Sequence, residues 1–441
     1  MIKQTKLIVT GLSLAAVMAL SGCNANNAST PKMASEGTVL TTYAKIAHES
    51  YEFALHDAQA LEIAIKKFTN NPTEITLAQA KAAWLTSRES YGETEIFRLS
   101  NGPIDAEEGW VADTYGGLEG QLNAWPLDEN MIDYTTNAKG MRTAGNIIDS
   151  RGMFNPGGEE STAVNVSTID VAAITALNEN GGDANVATGY HAIEFLLWGQ
   201  DQDYSNFVKD SITKGALTAG MRPLTDYTTD RYKERRKAFL NAAATKIVND
   251  LALVESGWET GAEYRTALLN KNADSAKNIA PKDALKTIFA GMGVFVKSEL
   301  ANERIAVAVL TPSEEDEHSC FSDNTHRDIA QNYQGFKNIL MGTFNGVDYG
   351  RSPFDALDKD AQHEIKELME SIESKIASIN AIAITSRHFD YQIRPNDPQA
   401  RVIVKLKNEL RKLGDKMVEV ASANGINLSV DDVTDAEETQ L

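Results

Sequence analysis

Apolar residues return along most of this chain at steps of three and four, the spacing that lines one face of an α-helix. Residues 226–258 carry Phe239, Ala243, Ile247, Leu251, Val254 and Trp258 in that rhythm. Residues 396–423 repeat it with Val402, Leu406, Leu410, Leu413, Met417 and Val420. Stretches 40–68 and 76–99, rich in Ala, Leu, Glu and Lys, predict two further long helices, and more are expected over 185–199, 281–308, 326–341 and 357–380. No run of strict alternation competes for a β assignment. The predicted class is all-α: two up-and-down bundles of about four helices each, joined and decorated by long ordered loops.

Punctuation divides the chain accordingly. Asn101-Gly102-Pro103 stops the second helix, residues 105–135 form an irregular but ordered loop rich in Gly, Trp and Asp, and 150–167 form a surface loop. The expected organisation is an N-terminal bundle over 39–215, a C-terminal bundle over 216–430 and an acidic tail over 431–441, with the boundary falling near 205–225. Ser87–Leu99 and Ser298–Leu310 are similar helix ends, each leading to an acidic turn with proline, a faint echo consistent with pseudo-duplication.

The first 22 residues break the pattern. Lys3 and Lys6 precede the apolar stretch Leu7 to Leu20, which is too short for a confident span and reads as a secretory leader. Leu20-Ser21-Gly22-Cys23 resembles the lipobox of bacterial lipoproteins, which implies lipidation of Cys23, a flexible tether over 23–38 and a membrane anchor. Asn24 after the cysteine favours the outer membrane. The expected location is the bacterial cell envelope, facing the periplasm or the surface. Cys320 then stands as the one remaining thiol, so stability must come from packing rather than a disulfide. The formal charge is −20, and losing a leader whose charges are two lysines makes it −22. Such a surface argues against nucleic acid as a partner and favours cations.

Three places carry candidate chemistry. His191 and Glu194 lie three apart in the otherwise apolar run Gly189–Trp198, with Asp201 shortly after. An imidazole and a carboxylate on one helical face make half of a metal site; the plainer reading is a hydrogen-bonded structural pair. Trp84, Arg88, Tyr91, Glu95 and Arg98 follow core spacing with polar and aromatic groups, either a solvated face or a polar wall, with Asp105 close behind. The segment 314–328 contributes Ser322, Asp323 and His326 among carboxylates and a thiol; Asp323 or Thr325 is also placed to cap the next helix. There is no His-Glu-x-x-His, and Phe195 stands where an inverted zincin would need a second histidine. Nucleophile-elbow and phosphate-loop motifs are absent from the sequence as well.

Gly189-Tyr190-His191-Ala192-Ile193-Glu194 resembles the Gly-x-His-x-x-Glu signature of the imelysin-like (insulin-cleaving metallopeptidase-like) family. Trp84 to Arg98 with Gly102-Pro103-Ile104-Asp105, the Trp125-Pro126-Leu127-Asp128 stretch, Ser298–Arg304 and Ser319–His326 extend the likeness, the last two toward its iron-regulated protein A branch. The resemblance spans about residues 40–425 and implies two helical bundles, a signature site near their junction and a role in iron or haem acquisition. On this reading His191, Glu194 and Glu95 would hold a metal, iron or zinc, whose identity the sequence leaves unknown. Trp84, Arg88, Tyr91, Arg98, Asp105, Trp125, Asp201, Ser322, Asp323 and His326 would line the pocket, and an outer-membrane iron or haem transporter would be the partner. The missing third ligand argues against peptidase activity; a zinc metallopeptidase of the imelysin type is the alternative.

Overall fold

A computed structural model describes residues 38–136, 140–201, 216–310 and 317–435. The leader, Cys23, all of the tether before Thr38, residues 205–215 of the expected boundary and the end of the tail lie outside the described residues, as do Glu314, Glu315 and Asp316.

The fold is all-α, and strand among the described residues is confined to two hairpins of two-residue strands, 153–154 with 164–165 and 343–344 with 347–348. Helix α1 (Val39–Asn70) starts at Thr38, whose hydroxyl accepts from the Thr41 amide. Helix α2 (Glu74–Thr94) opens on a reciprocal capping box between Thr73 and Thr76 and tightens into a 3₁₀ turn, Glu95–Phe97. Helix α3 is Gly189–Trp198, with all ten residues buried. Helix α4 (Lys233–Trp258) buries every seam residue expected of it, but begins later than residue 226. Residues 225–228 form a separate turn there, and the Asp230 carboxylate takes the Tyr232 amide, which breaks the helical ladder.

Helix α5 (Pro281–Val294) runs on into a π-helix, Phe295–Ala306, and a last α turn to Leu310. Helix α6 (Thr325–Met341) ends at Gly342, and helix α7 (Lys359–Thr385) is capped by Asp358. Helix α8 (Ala400–Ala423) points Ile403 rather than Val402 into the core, followed by Leu406, Leu410, Leu413, Met417 and Val420. Neither Asp323 nor Thr325 caps α6, contrary to expectation: Asn324 is the capping residue and makes no side-chain cap, while the Thr325 hydroxyl accepts from the Ser319 amide.

Helix α1 packs on both α2 and α4, with α3 seated on α2 and α4. Helix α8 packs on α5, the π segment and α7, and α6 on α7. The two groups meet where α2 crosses α6. Gly335 makes that crossing close: a Cβ there would stand 2.4 Å from the Glu93 carbonyl oxygen. Beside it Arg327 donates to Glu89 at 2.8 Å and Asn338 to Glu93 at 2.7 Å. The crossing also brings the Trp84–Arg98 stripe of α2 against α3 and the segment before α6.

Candidate functional site

Glycine at the head of the signature has a steric cause. Gly189 sits at φ +84, and a Cβ on it would lie 2.4 Å from the Leu122 carbonyl oxygen. Only a residue without a side chain lets α3 start this close to Leu122, which ends a short helix, Glu119–Leu122; with Gly109–Tyr115 and Glu129–Ile132 it makes the stretch expected to be an irregular loop partly helical. The helix then drives His191 and Glu194 into the interior, both fully buried.

The His191 Nδ1 lies 2.9 Å from Glu194 Oε2. The other carboxylate oxygen accepts from the Ser322 amide at 2.9 Å and its hydroxyl at 2.6 Å. On its opposite edge, His191 Nε2 stands 3.2 Å from His318 Nε2. The His318 Nδ1 in turn lies 3.1 Å from Asp328 Oδ2, which the Ser319 hydroxyl also reaches. Arg88 holds the other Asp328 oxygen at 2.8 Å and the Asn123 side-chain oxygen at 2.6 Å. Trp125 covers the pair, its ring 4.8 Å from that of His191 and 6.4 Å from that of His318. On its outer side Trp125 borders a cavity of about 240 Å³ shared with Asp128, Glu129, Thr135 and Gln200.

This array has two mirrored halves, each a carboxylate aimed at Nδ1 of a histidine whose Nε2 points at the other ring. Carboxylates in that position orient histidines for metal binding and favour the Nδ1–H tautomer. With both rings so arranged, two Nε2 lone pairs would face each other, and a cation must stand between them. A proton satisfies this if Glu194 is the acid: it donates to His191, which donates to His318, which donates to Asp328. Burial pushes the Glu194 carboxyl up to about 8, in keeping with that arrangement. A metal ion satisfies it too. Two imidazoles bound at about 2.05 Å to a tetrahedral ion have nitrogens about 3.3 Å apart, close to the separation present here.

The electrostatics divide the site. Burial, then the neighbouring His318, hold His191 well below the ordinary histidine range. Burial, reinforced by Arg304, takes His318 down to about 4. Neutral rings of this kind are ligands rather than cations. Burial works to raise Asp328, but Arg88 and the His318 bond overcome it and hold the carboxyl far below its usual range.

The stripe on α2 is a buried polar wall. Trp84 donates from Nε1 to the Tyr190 carbonyl at 2.9 Å, Ser87 bonds the Tyr190 hydroxyl at 2.8 Å, and Tyr91 packs its ring on Tyr190. Glu95 is fully buried but stands apart from His191, with His318, Asp328 and Arg88 between them in the chain of contacts. It accepts from Asn123 at 3.3 Å and Arg304 at 3.1 Å. Burial raises it, and Arg304 and Arg88 more than reverse that. Arg98 pairs with Glu299 at 3.1 Å and Glu119 at 3.3 Å.

Asp105 is elsewhere: it accepts the Ser100, Asn101 and Gly102 amides at 2.7–3.1 Å and builds the turn after α2. His326 turns Nδ1 to the Asp323 carbonyl at 3.1 Å, and the Asp323 carboxylate meets His388. Asp201 adds to the negative field that, with burial first and Glu194 next, pushes the Cys320 thiol well up. Among the proposed pocket residues, Arg88, Trp125 and Ser322 therefore touch the array directly. The sequence reading passed over His318 and Asp328 as site residues. The signal was present, since both lie in the 314–328 segment, but no local spacing pairs them with His191, which lies 127 residues before His318.

The sequence pattern of imelysin matches residues 47–417. Iron-regulated protein A of Synechococcus elongatus is 23% identical over 297 residues, 66% of this chain and 60% of that protein, so the match spans less than two thirds of the relative's length. Among solved structures, a chain described as an iron-regulated protein A precursor from Parabacteroides distasonis superposes with TM-score 0.57 at 18% identity, covering 87% of this chain and 94% of its own. An imelysin-like protein from Psychrobacter arcticum gives 0.50 at 11%, covering 90% and 99%. These two likenesses establish the shared helical fold, and the match across most of the sequence establishes the lineage: the chain belongs to the imelysin family.

Proposed function

We propose that this chain is an envelope-anchored binding protein of iron or haem acquisition that takes a metal at the His191–His318 pair and has no peptidase activity. The observation that carries the reading is the 3.2 Å separation of two Nε2 atoms whose Nδ1 atoms are each held by a buried carboxylate. In this reading His191 and His318 are ligands, and Glu194 and Asp328 orient them. Glu95 acts from further out, fixing Arg88. An iron or zinc ion would complete its shell with small molecules or a chelating ligand. The name of the Synechococcus relative gives the iron connection. Lipidation at Cys23 and an outer-membrane transporter as partner belong to the same reading.

A peptidase would need a third protein ligand and a carboxylate free to act on water. Glu194 and Asp328 are both committed to histidine and to neighbouring donors. The test is metal analysis with calorimetric titration of the full chain against ferrous, ferric and zinc ions and haem, beside His191→Ala and His318→Ala. One metal equivalent present in the wild type and lost in both variants is expected. Binding unchanged in both would remove the site. Chelator-sensitive cleavage of a test protein that vanishes in Glu194→Gln would replace the reading with the peptidase.

A further inference from the structure

A second set of metal-ligating groups converges outside the signature array. Asp323 precedes α6, while His388 and Asp390 flank the start of a short helical turn, Phe389–Gln392. One ligand atom from each of the three lies within 4.8 Å of the other two. The His388 Nδ1 is in direct contact with the Asp323 carboxylate. Asp323 and Asp390 are 4% and 2% exposed, whereas the His388 side chain keeps 18%, so the cluster is buried with one open edge. The three residues come from segments 65 positions apart. The His388 amide donates to the Ala216 carbonyl at 2.7 Å, which fixes the backbone that presents its ring.

We infer that Asp323, His388 and Asp390 form a second divalent-cation site, separate from the signature pair and suited to a first-row metal such as zinc, ferrous iron or manganese. Two carboxylates and one imidazole match the mixed oxygen and nitrogen preference of those ions and leave coordination positions for water. Arg394, two residues past that turn, stands 3.9 Å from Asp390. The site lies one residue from Ser322, whose amide and hydroxyl hold Glu194. A cation on Asp323 therefore ties the segment that steadies Glu194 to the 388–390 turn.

Cobalt(II) titration of the full chain, followed by visible absorption in excess magnesium, separates this site from the signature pair. Four proteins are compared: wild type, His388→Ala, Asp390→Asn and the double variant His191→Ala/His318→Ala. The expected result is one equivalent weakened at least tenfold in both His388→Ala and Asp390→Asn, and retained in His191→Ala/His318→Ala. Asp390→Asn keeps the side-chain shape, so it decides the matter if His388→Ala fails to fold. Wild-type binding in Asp390→Asn, or loss of all cobalt in the signature double variant, would overturn the second site. Loss of one equivalent in that double variant alone would leave the signature reading standing and remove this one.

Discussion

Arg88 is the buried cation on which the array leans, and its removal gives a sharp test of the geometry. It donates to Asp328 from Nη2 at 2.8 Å and from Nε at 3.3 Å, and to Asn123 at 2.6 Å. Its Nη2 also lies 3.5 Å from Glu95. The side chains of Arg88, Asp328 and Glu95 are at most 1% exposed, so no water replaces a lost partner. Truncating one member of such a pair strands the other charge at a cost of about 3–5 kcal/mol, against about 0–1 kcal/mol for an exposed pair. Arg88→Met leaves Asp328 with His318 and Ser319 but without its cation, whereas Glu95 keeps Arg304 at 3.1 Å, so the cost should come mainly from one carboxylate. Asp328→Asn leaves the guanidinium with Glu95 as its charged partner beside Asn123 and removes the charge that orients His318. Arg88→Met/Asp328→Asn removes both charges together and should cost less than the two single losses combined, by about 2–3 kcal/mol. Urea unfolding of the four proteins, read by tryptophan fluorescence and far-ultraviolet circular dichroism, measures this. Single losses below about 1 kcal/mol, or additivity within about 0.5 kcal/mol, would refute the buried network as drawn.

Other consequences are as direct. Gly189→Ala should destabilise by at least about 2 kcal/mol, because it adds a Cβ 2.4 Å from a carbonyl oxygen at φ +84; an unchanged melting temperature would contradict the close approach. Burial, aided by Glu89 and opposed by the Asn338 bond, raises the Glu93 carboxyl from 4.5 to about 7. The folded state thus keeps a proton that the unfolded chain releases, and stability falls as pH rises between those values, by at most about 3 kcal/mol. Glu93→Gln should flatten this part of the urea-midpoint profile and stabilise the protein at pH 8; an unaltered profile would show that Glu93 titrates normally. Trp84→Phe removes the bond to the Tyr190 carbonyl and should cost about 1–2 kcal/mol while leaving metal stoichiometry unchanged. Loss of stoichiometry there would show that the indole serves the site itself.

Local periodicity sufficed for the long helices, though not for short ones such as Gly109–Tyr115 and Val171–Leu177, because the apolar stripe that predicts a helix is also the surface it must bury. Phe239 to Trp258 demonstrates this on α4. Helix starts were less legible where a side chain competes with the backbone, as Asp230 does ahead of α4. The stripe from Trp84 to Arg98 was visible as an anomaly, yet whether it faced water or protein depended on α3 and α6, which cover it. The His191–Glu194 pair was legible because three residues along a helix bring two groups onto one face. His318 and Asp328 were not, because helix periodicity says nothing about contacts between distant segments. Composition and spacing determined the class of the fold and half of the array. Tertiary structure alone decided which nitrogen faced which oxygen, since that follows from α3, α6 and the segment between them being packed too closely for any of these groups to find water instead.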